Sequence, residues 1–389
     1  MRICFVTPEF LIEKPSAGGL GNYVNRMAQA LQKEGHEVDI FTLRHSKEAK
    51  KVDEYMGIKV FHVTRNKGLF FQLIKFLDNH IFCSKGSRLT NYLSGAYTVG
   101  KAVNIAQKES PYDLIQIANS GLLGLFISRS HCPNLVIRIS SVRRLCHKFD
   151  GLWHLPGSKM ETWLEEWQIK KIRYAYAPSE FTANFFNKYN VKVIRPPFFI
   201  ERKLDVEYKM PIQRPFFIHF GSIGNLKGSE DLAIALLKVW ESEPDFEMIW
   251  VGGERTNGAM DTYRKWWGKK SENVIWIESL RKPQLYTLIK NSSFAVLPSK
   301  VDNLPNTVLE SLTLGTPVIG YNGASINEMV VHNKNGYLAE MGKIDELASL
   351  ILKAFRNVDK TIKGFIPEHL ALELDTNYAV NKLLNFIKK

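Results

Sequence analysis

Residues Phe294–Asn322 read FAVLPSKVDNLPNTVLESLTLGTPVIGYN. The apolar run FAVLPS is a strand that both faces can bury. A Pro-Asn turn follows, then a helix-length segment, then a second apolar run, PVIGYN. Strand, helix and strand in that order predict a parallel βαβ unit. Ligands of such sheets bind outside the carboxyl ends of the strands, near helix N-termini. The join DNLPNTVLE (Asp302–Glu310) sits at that place and carries an acid at each end.

The same alternation runs through most of the chain. RICFVTPEF, EVDIFTL, IKVFHVT, LIQIAN, NLVIRISS, YAYAPS and KVIRPPF form one series of strand-like runs. FFIHFGS, FEMIWVGG, NVIWI, FAVLPS and PVIGYN form a second. Two prolines in RPPFFIERKLD interrupt the pattern between them. The fold class is α/β, with two Rossmann-like domains of parallel strands facing a cleft. The predicted bounds are 1–198 and 199–371. The segment 372–389 is an amphipathic helix, with Leu372, Leu374, Tyr378, Val380, Leu383, Leu384 and Ile387 near one stripe, packing on the first domain. At 389 residues, two domains are the default.

Composition narrows the function classes. The chain is 45% apolar and 23% charged, as an ordinary globular protein is. No apolar run approaches the length of a transmembrane helix. The start MRICFVTPEF reads as a strand, which predicts no signal peptide. Cys4, Cys83, Cys132 and Cys146 are widely spaced, without a CxxC, which suits reduced thiols in a cytoplasm and offers no metal site. The net charge of +13 is uneven. Residues 1–200 hold 28 Lys and Arg against 16 Asp and Glu, a surplus of 12, and the remainder is nearly balanced. Such asymmetry suggests a polyanionic partner for the first half, with plain solubility as the alternative. No nucleic-acid-binding motif is present. Arg65–Arg88 mixes Phe70, Phe71, Leu73, Phe76 and Phe82 with Lys67, Lys75, Lys85 and Arg88. It fits a peripheral helix in an anionic membrane interface and equally a core helix.

Three loops after strands can carry chemistry. In EKPSAGGLGNYV, Gly18, Gly19 and Gly21 let backbone amides approach a ligand at a helix N-terminus, or merely punctuate the chain. In FGSIGNLKGSEDL, Gly221, Gly224 and Gly228 surround Lys227, which suits a diphosphate clamp or a solvated lysine. Neither loop has the spacing of a dinucleotide fingerprint or a Walker motif, which argues against an NAD enzyme and a triphosphatase. The third is the opening join. Pro305 suits the first helical position and leaves the amides of Asn306 and Thr307 free for an anion. Glu310 could accept two hydrogen bonds from vicinal ribose hydroxyls, with Asp302 reaching hydroxyls at the other end of the ligand. Thr307 and Glu310 also fit a capping box, in which Glu310 would hold only backbone.

Taken together, these residues resemble glycosyltransferase family 4, retaining enzymes of the GT-B fold. The resemblance rests on an acid, seven residues and a glutamate (Asp302 and Glu310), then SLTLGTPVIG and NGASINEMVVHNKNGYLAE, and it covers essentially the whole chain. It implies that Glu310 holds the donor ribose and that Asp302 contacts the transferred sugar. Lys227 would neutralise the donor diphosphate, beside Gly221, Ser222 and the amides of Asn306 and Thr307. Gly19 would approach the same phosphates, and Leu280 would lie at the nucleobase. The implied partners are a nucleotide-diphosphate sugar and a glycan or lipid-linked acceptor in polysaccharide or glycolipid assembly, without metal or other cofactor. The expected place is the cytoplasm, and the basic first half suggests an acceptor held at an anionic membrane face.

Two departures stand out. Ser222 replaces an arginine common in the family, and Arg138-Ile-Ser140-Ser141 replaces a segment that often carries a histidine. Arg138 and Ser140 are the substitutes on the sugar side. A non-catalytic GT-B scaffold and a nucleotide-sugar epimerase are the alternatives.

Overall fold

The computed structural model describes residues 1–11, 18–44, 51–65, 67–82, 88–128, 132, 134–200, 208–212, 215–357 and 362–388. Cys83, Lys85 and the Lys14–Ala17 part of the first glycine-rich loop lie outside the described residues. The chain divides into two compact units. One comprises Met1–Phe198 with Leu372–Lys389, and the other Phe199–Ala371.

The first unit holds an eight-stranded sheet of β1 (Arg2–Thr7), β2 (Glu37–Leu43), β3 (Val52–Tyr55), β4 (Ile58–Val63), β5 (Leu114–Ala118), β6 (Leu135–Arg138), β7 (Tyr174–Ala177) and β8 (Lys192–Val193). Its order is β3-β4-β2-β1-β5-β6-β7-β8. Every pair is parallel except β3 with β4. Successive residues of β1 feed opposite cores: Ile3 and Phe5 join Met27 and Leu31 of the helix Gly19–Lys33, while Cys4 and Val6 join Val99 and Val103 of the helix Arg88–Glu109. Both faces are covered, so the strand reads as a continuous apolar run.

Two strands depart from the sequence pattern. β3, with sequence VDEY, has no buried residue and therefore no apolar signal. The KVIRPPF run keeps only Lys192–Val193 as strand, because Pro196 and Pro197 lack the N–H a ladder needs.

The C-terminal helix Thr376–Ile387 is capped by Asp375, whose Oδ1 accepts the Tyr378 N–H at 2.9 Å. It buries Ala379, Val380, Leu383, Leu384 and Ile387 in the same core as Ile3 and Phe5. Leu372 and Tyr378, expected on that stripe, are exposed; Leu372 belongs to the preceding short helix Glu368–Glu373. Arg195 Nε meets Glu373 at 3.2 Å, and Phe198 N–H donates to the Leu374 carbonyl at 3.0 Å.

The second unit holds six parallel strands: β9 (Phe217–Phe220), β10 (Met248–Val251), β11 (Val274–Ile277), β12 (Phe294–Val296), β13 (Val318–Tyr321) and β14 (Gly336–Ala339). Their order is β11-β10-β9-β12-β13-β14, so the winding reverses between β9 and β12. That reversal opens a crevice at the strand ends, the place such sheets use for ligands. No helix among the described residues is long and apolar enough to cross a membrane.

Candidate active site

Lys227 and Asp302 meet at that reversal. Lys227 ends the short turn Asn225–Lys227 after β9, and Asp302 lies in the loop after β12. Backbone bonds hold the two loops together: the N–H groups of Lys300 and Val301 donate to the Leu226 carbonyl at 2.9 and 3.2 Å. Gly228 has φ 69°, and a Cβ there would stand 1.9 Å from the Pro298 carbonyl oxygen. Only glycine allows the lysine turn to lie so close to the loop after β12. Lys227 Nζ then donates to Asp302 Oδ2, and Asp302 Oδ1 accepts the Asn303 N–H at 2.9 Å. A second lysine is kept out of this pair. Lys300 Nζ is held 2.6 Å from Asp231 Oδ1 and donates to Asn225 Oδ1 at 3.1 Å, while Tyr321 donates to the other Asp231 oxygen.

The helix Asn306–Thr313 begins at the same place. Pro305 is its cap residue, one position earlier than the sequence suggested, with no side-chain cap bond. Val308 and Leu309 donate to the Pro305 carbonyl. Among the described residues the amides of Asn306 and Thr307 donate to no protein group, as the first amides of a helix do. Thr307 is the second helical residue and not the cap, so the capping box is not formed. Glu310 is buried, and its Oε1 accepts the Tyr286 O–H at 3.0 Å. Gly221 has φ 124°, and Thr307 Cγ2 stands 3.6 Å from where its Cβ would be. Ser222 is half-buried beside it, and Leu280 is half-buried in the loop after β11.

His219 on β9 lies beneath this site. Its Nδ1 is 2.7 Å from the Val296 carbonyl, and its ring stands edge-on to Trp250. Burial first, with the charge of Lys227 acting the same way, pushes its pKa down to about 4. It is a neutral core histidine.

In the first unit the winding reverses between β1 and β5. Gly19 is exposed at the start of the helix Gly19–Lys33, with Gly18 as cap. Arg138 is the last residue of β6. It is 6% exposed, its guanidinium lies 3.9 Å from the Tyr23 ring centroid, and Nη1 donates to Ser140 Oγ at 2.8 Å. It stacks on Tyr23 and ties the end of β6 to Ser140. Ser140 N–H donates to Asn119 Oδ1 at 2.6 Å, so this serine joins the ends of β5 and β6. Just beyond, Arg143 pairs with Glu161 at 2.9 Å and His147 lies 3.2 Å from the other Glu161 oxygen. Glu165, one turn on, is pushed up to about 8 by burial.

Two family models match the chain. One, described as Glycosyltransferase Family 4, matches residues 17–197, and the other, described as Glycosyl transferases group 1, matches residues 201–363. The chain belongs to glycosyltransferase family 4. A curated relative of this glycosyltransferase, alpha-monoglucosyldiacylglycerol synthase of Streptococcus pneumoniae, is 23% identical over 381 residues, covering 91% of this chain and 78% of that protein. The structure of sucrose-phosphate synthase from Thermosynechococcus elongatus matches with a TM-score of 0.78 at 15% identity, covering 100% of this chain and 98% of the other. Anabaena HepE in complex with UDP-glucose matches with a TM-score of 0.68 at 16% identity, covering 100% and 99%. These two likenesses are of fold, and the fold is GT-B.

The glycosyltransferase also places beside these loops residues that their sequence did not single out. Tyr286, 24 residues before Glu310, supplies its hydroxyl partner. Arg255, in VGGER after β10, lies against the lysine turn: a Cβ on Gly224 would be 3.4 Å from Arg255 Cβ and Cδ. Glu9 Oε1 stands 3.5 Å from where a Cβ on Gly18 would be, an acid beside the first helix N-terminus. The Gly-Gly pair after β10 is a sequence signal that could have found Arg255; Tyr286 has none, being one apolar-periodic position among many.

Proposed function

We propose that this glycosyltransferase moves a hexosyl group from a nucleoside-diphosphate sugar to a hydroxyl of a glycolipid or glycan, with retention at the anomeric carbon and without a metal. The observation that carries the proposal is the meeting of Lys227, Asp302 and the Glu310 helix at the winding reversal of the second unit. This unit would bind the donor, and the first unit the acceptor.

In this reading the ribose hydroxyls donate to Glu310, whose carboxylate Tyr286 already orients. The diphosphate takes the Asn306 and Thr307 amides and draws Lys227 from Asp302. Asp302, once released, accepts hydroxyls of the sugar. Leu280 flanks the base. As the bond from the anomeric carbon to the phosphate oxygen breaks, charge grows on the leaving diphosphate, and Lys227 and the helix amides stabilise it. The acceptor oxygen bonds to the anomeric carbon on the same face, and its proton passes to the departing phosphate oxygen. Lys227 thus supplies the positive charge a metal would otherwise bring.

A UDP-sugar is favoured as donor by the fold shared with HepE, whose structure holds UDP-glucose. A glycolipid product is favoured by the relative named for diacylglycerol glycolipid synthesis. Cytoplasmic placement fits the free thiols of Cys4, Cys132 and Cys146.

The test is a thermal-shift series with UDP, UDP-glucose and GDP-mannose, repeated on Glu310→Ala. A bound donor raises the midpoint in proportion to its occupancy. The expected result is a shift with one nucleotide series that disappears in the variant. An equal shift in both proteins would refute the assigned site.

A further inference from the structure

The helix Leu69–Leu77 turns large apolar side chains to solvent. Leu69 is 91% exposed, Leu73 57% and Phe76 58%, at spacings that place them on one face. Ile81, in the following turn Asp78–Phe82, is 57% exposed. No residue of the helix is buried. The opposite face already anchors it: the Phe70 ring lies 4.8 Å from Tyr97 and 5.9 Å from Phe126. The outward stripe is therefore extra to what the fold needs, whereas an ordinary surface helix is polar there.

A second exposed face adjoins it. The turn Asp78–Phe82 packs on the helix Pro156–Lys171, which exposes Trp163 and, one turn later, Trp167. Lys171 Nζ lies 5.7 Å from the Trp167 ring centroid. Around these apolar groups stand exposed Lys67, Lys75, Lys159, Lys170 and Lys171. Among the described residues, no exposed position from Lys67 to Phe82 or in Pro156–Lys171 is an acid. Asp78, the acid of the first segment, is buried and accepts from the Thr90 N–H and hydroxyl.

We propose that these two faces dock the protein on an anionic bilayer. Leu69, Leu73, Phe76 and Trp163 would enter the boundary between headgroups and acyl chains, with the lysines at lipid phosphates. Tryptophan belongs at that boundary because its ring is apolar and its N–H is polar. Charge selects this occupant over a second copy of the chain, which would set lysine against lysine. Docking requires neither donor nor acceptor, so it goes beyond the proposed reaction.

The test is co-sedimentation of the full chain with vesicles of phosphatidylglycerol and phosphatidylcholine, against vesicles of phosphatidylcholine alone, at low salt and at about 0.5 M salt. The wild type should bind the anionic vesicles and release as salt rises. The double variant Leu73→Gln/Phe76→Gln and the variant Trp163→Gln should each bind at least about tenfold more weakly. Both should keep the wild-type melting temperature, since the exchanged groups are exposed. No binding at low salt, equal binding by the variants, or a wild-type dimer in light scattering that the same variants dissolve would each overturn the proposal. The nucleotide thermal shift, read on the same variants, reports separately on the donor site.

Discussion

Lys227 and Asp302, 75 residues apart in the chain, form an ion pair across two neighbouring strand ends. A lysine expected at phosphate and an acid expected at sugar thus hold each other, and in the proposed reaction a donor would separate them.

That pairing gives the first prediction. Lys227→Ala should lower kcat/KM by roughly a hundredfold or more, the usual effect of removing a charge that faces the transition state. Asp302→Asn should abolish transfer yet bind the free nucleoside diphosphate more tightly, because Lys227 no longer has a competing carboxylate. Titration calorimetry with UDP checks this. Unchanged or weaker UDP binding by the asparagine variant would contradict the competition.

Tyr286 and Glu310 give the second. Tyr286→Phe removes a hydrogen bond from a buried carboxylate and should cost about 1–3 kcal/mol of stability. Nucleotide binding should survive it, because the carboxylate remains. Glu310→Gln should instead lose most of the nucleotide-induced thermal shift. If Glu310→Gln lowered the melting temperature but kept the full shift, Glu310 would be structural alone.

Arg255 gives the third. Its stem lies along Gly224, at the rim of the lysine turn, where its guanidinium can serve the phosphates in place of the arginine that Ser222 replaces. Arg255→Ala should raise the donor KM roughly tenfold with kcat little changed, the pattern of lost uniform binding. Steady-state kinetics at varied donor concentration decide it.

Two buried groups give opposite pH slopes. His219 in the folded protein titrates near 4, below its ordinary 6.5. The unfolded chain therefore takes up a proton first as pH falls, so stability present above pH 6.5 is lost on the way down to about 4. The loss is about 3 kcal/mol, and His219→Asn should flatten it. Glu165 titrates near 8, above its ordinary 4.5, so the folded state keeps a proton the unfolded chain releases. Its contribution is complete below pH 4.5 and is lost as pH rises through 8. Glu165→Gln should raise the melting temperature at pH 9 and change little at pH 4.5. Melting curves across pH 4–9 test both signs.

Much of this was legible in the chain. β1, β9, β10 and β13 read as strands because both their faces are buried, which makes the apolar run continuous. β3 was invisible because no residue of it is buried. The interruption of the pattern at Pro196 and Pro197 was visible because proline removes a ladder donor wherever it stands. Lys227, Asp302 and Glu310 stood out as charged groups in glycine- and proline-marked turns after strands.

Sequence alone left Glu310 divided between a capping box and a ligand, and did not show that Arg138 stacks on Tyr23. Both depend on where side chains point, which the fold decides. The helix starts at Asn306, ahead of Thr307, so Thr307 lies inside it and not at its cap, and Tyr23 lies beneath Arg138 to hold its guanidinium in a stack. The outward face of Leu69–Leu77 is likewise a tertiary fact, since an amphipathic pattern does not say which of two apolar faces meets the core. Local pattern determined the elements and the turns where charge collects; the packing of distant strands decided which of those charges meet.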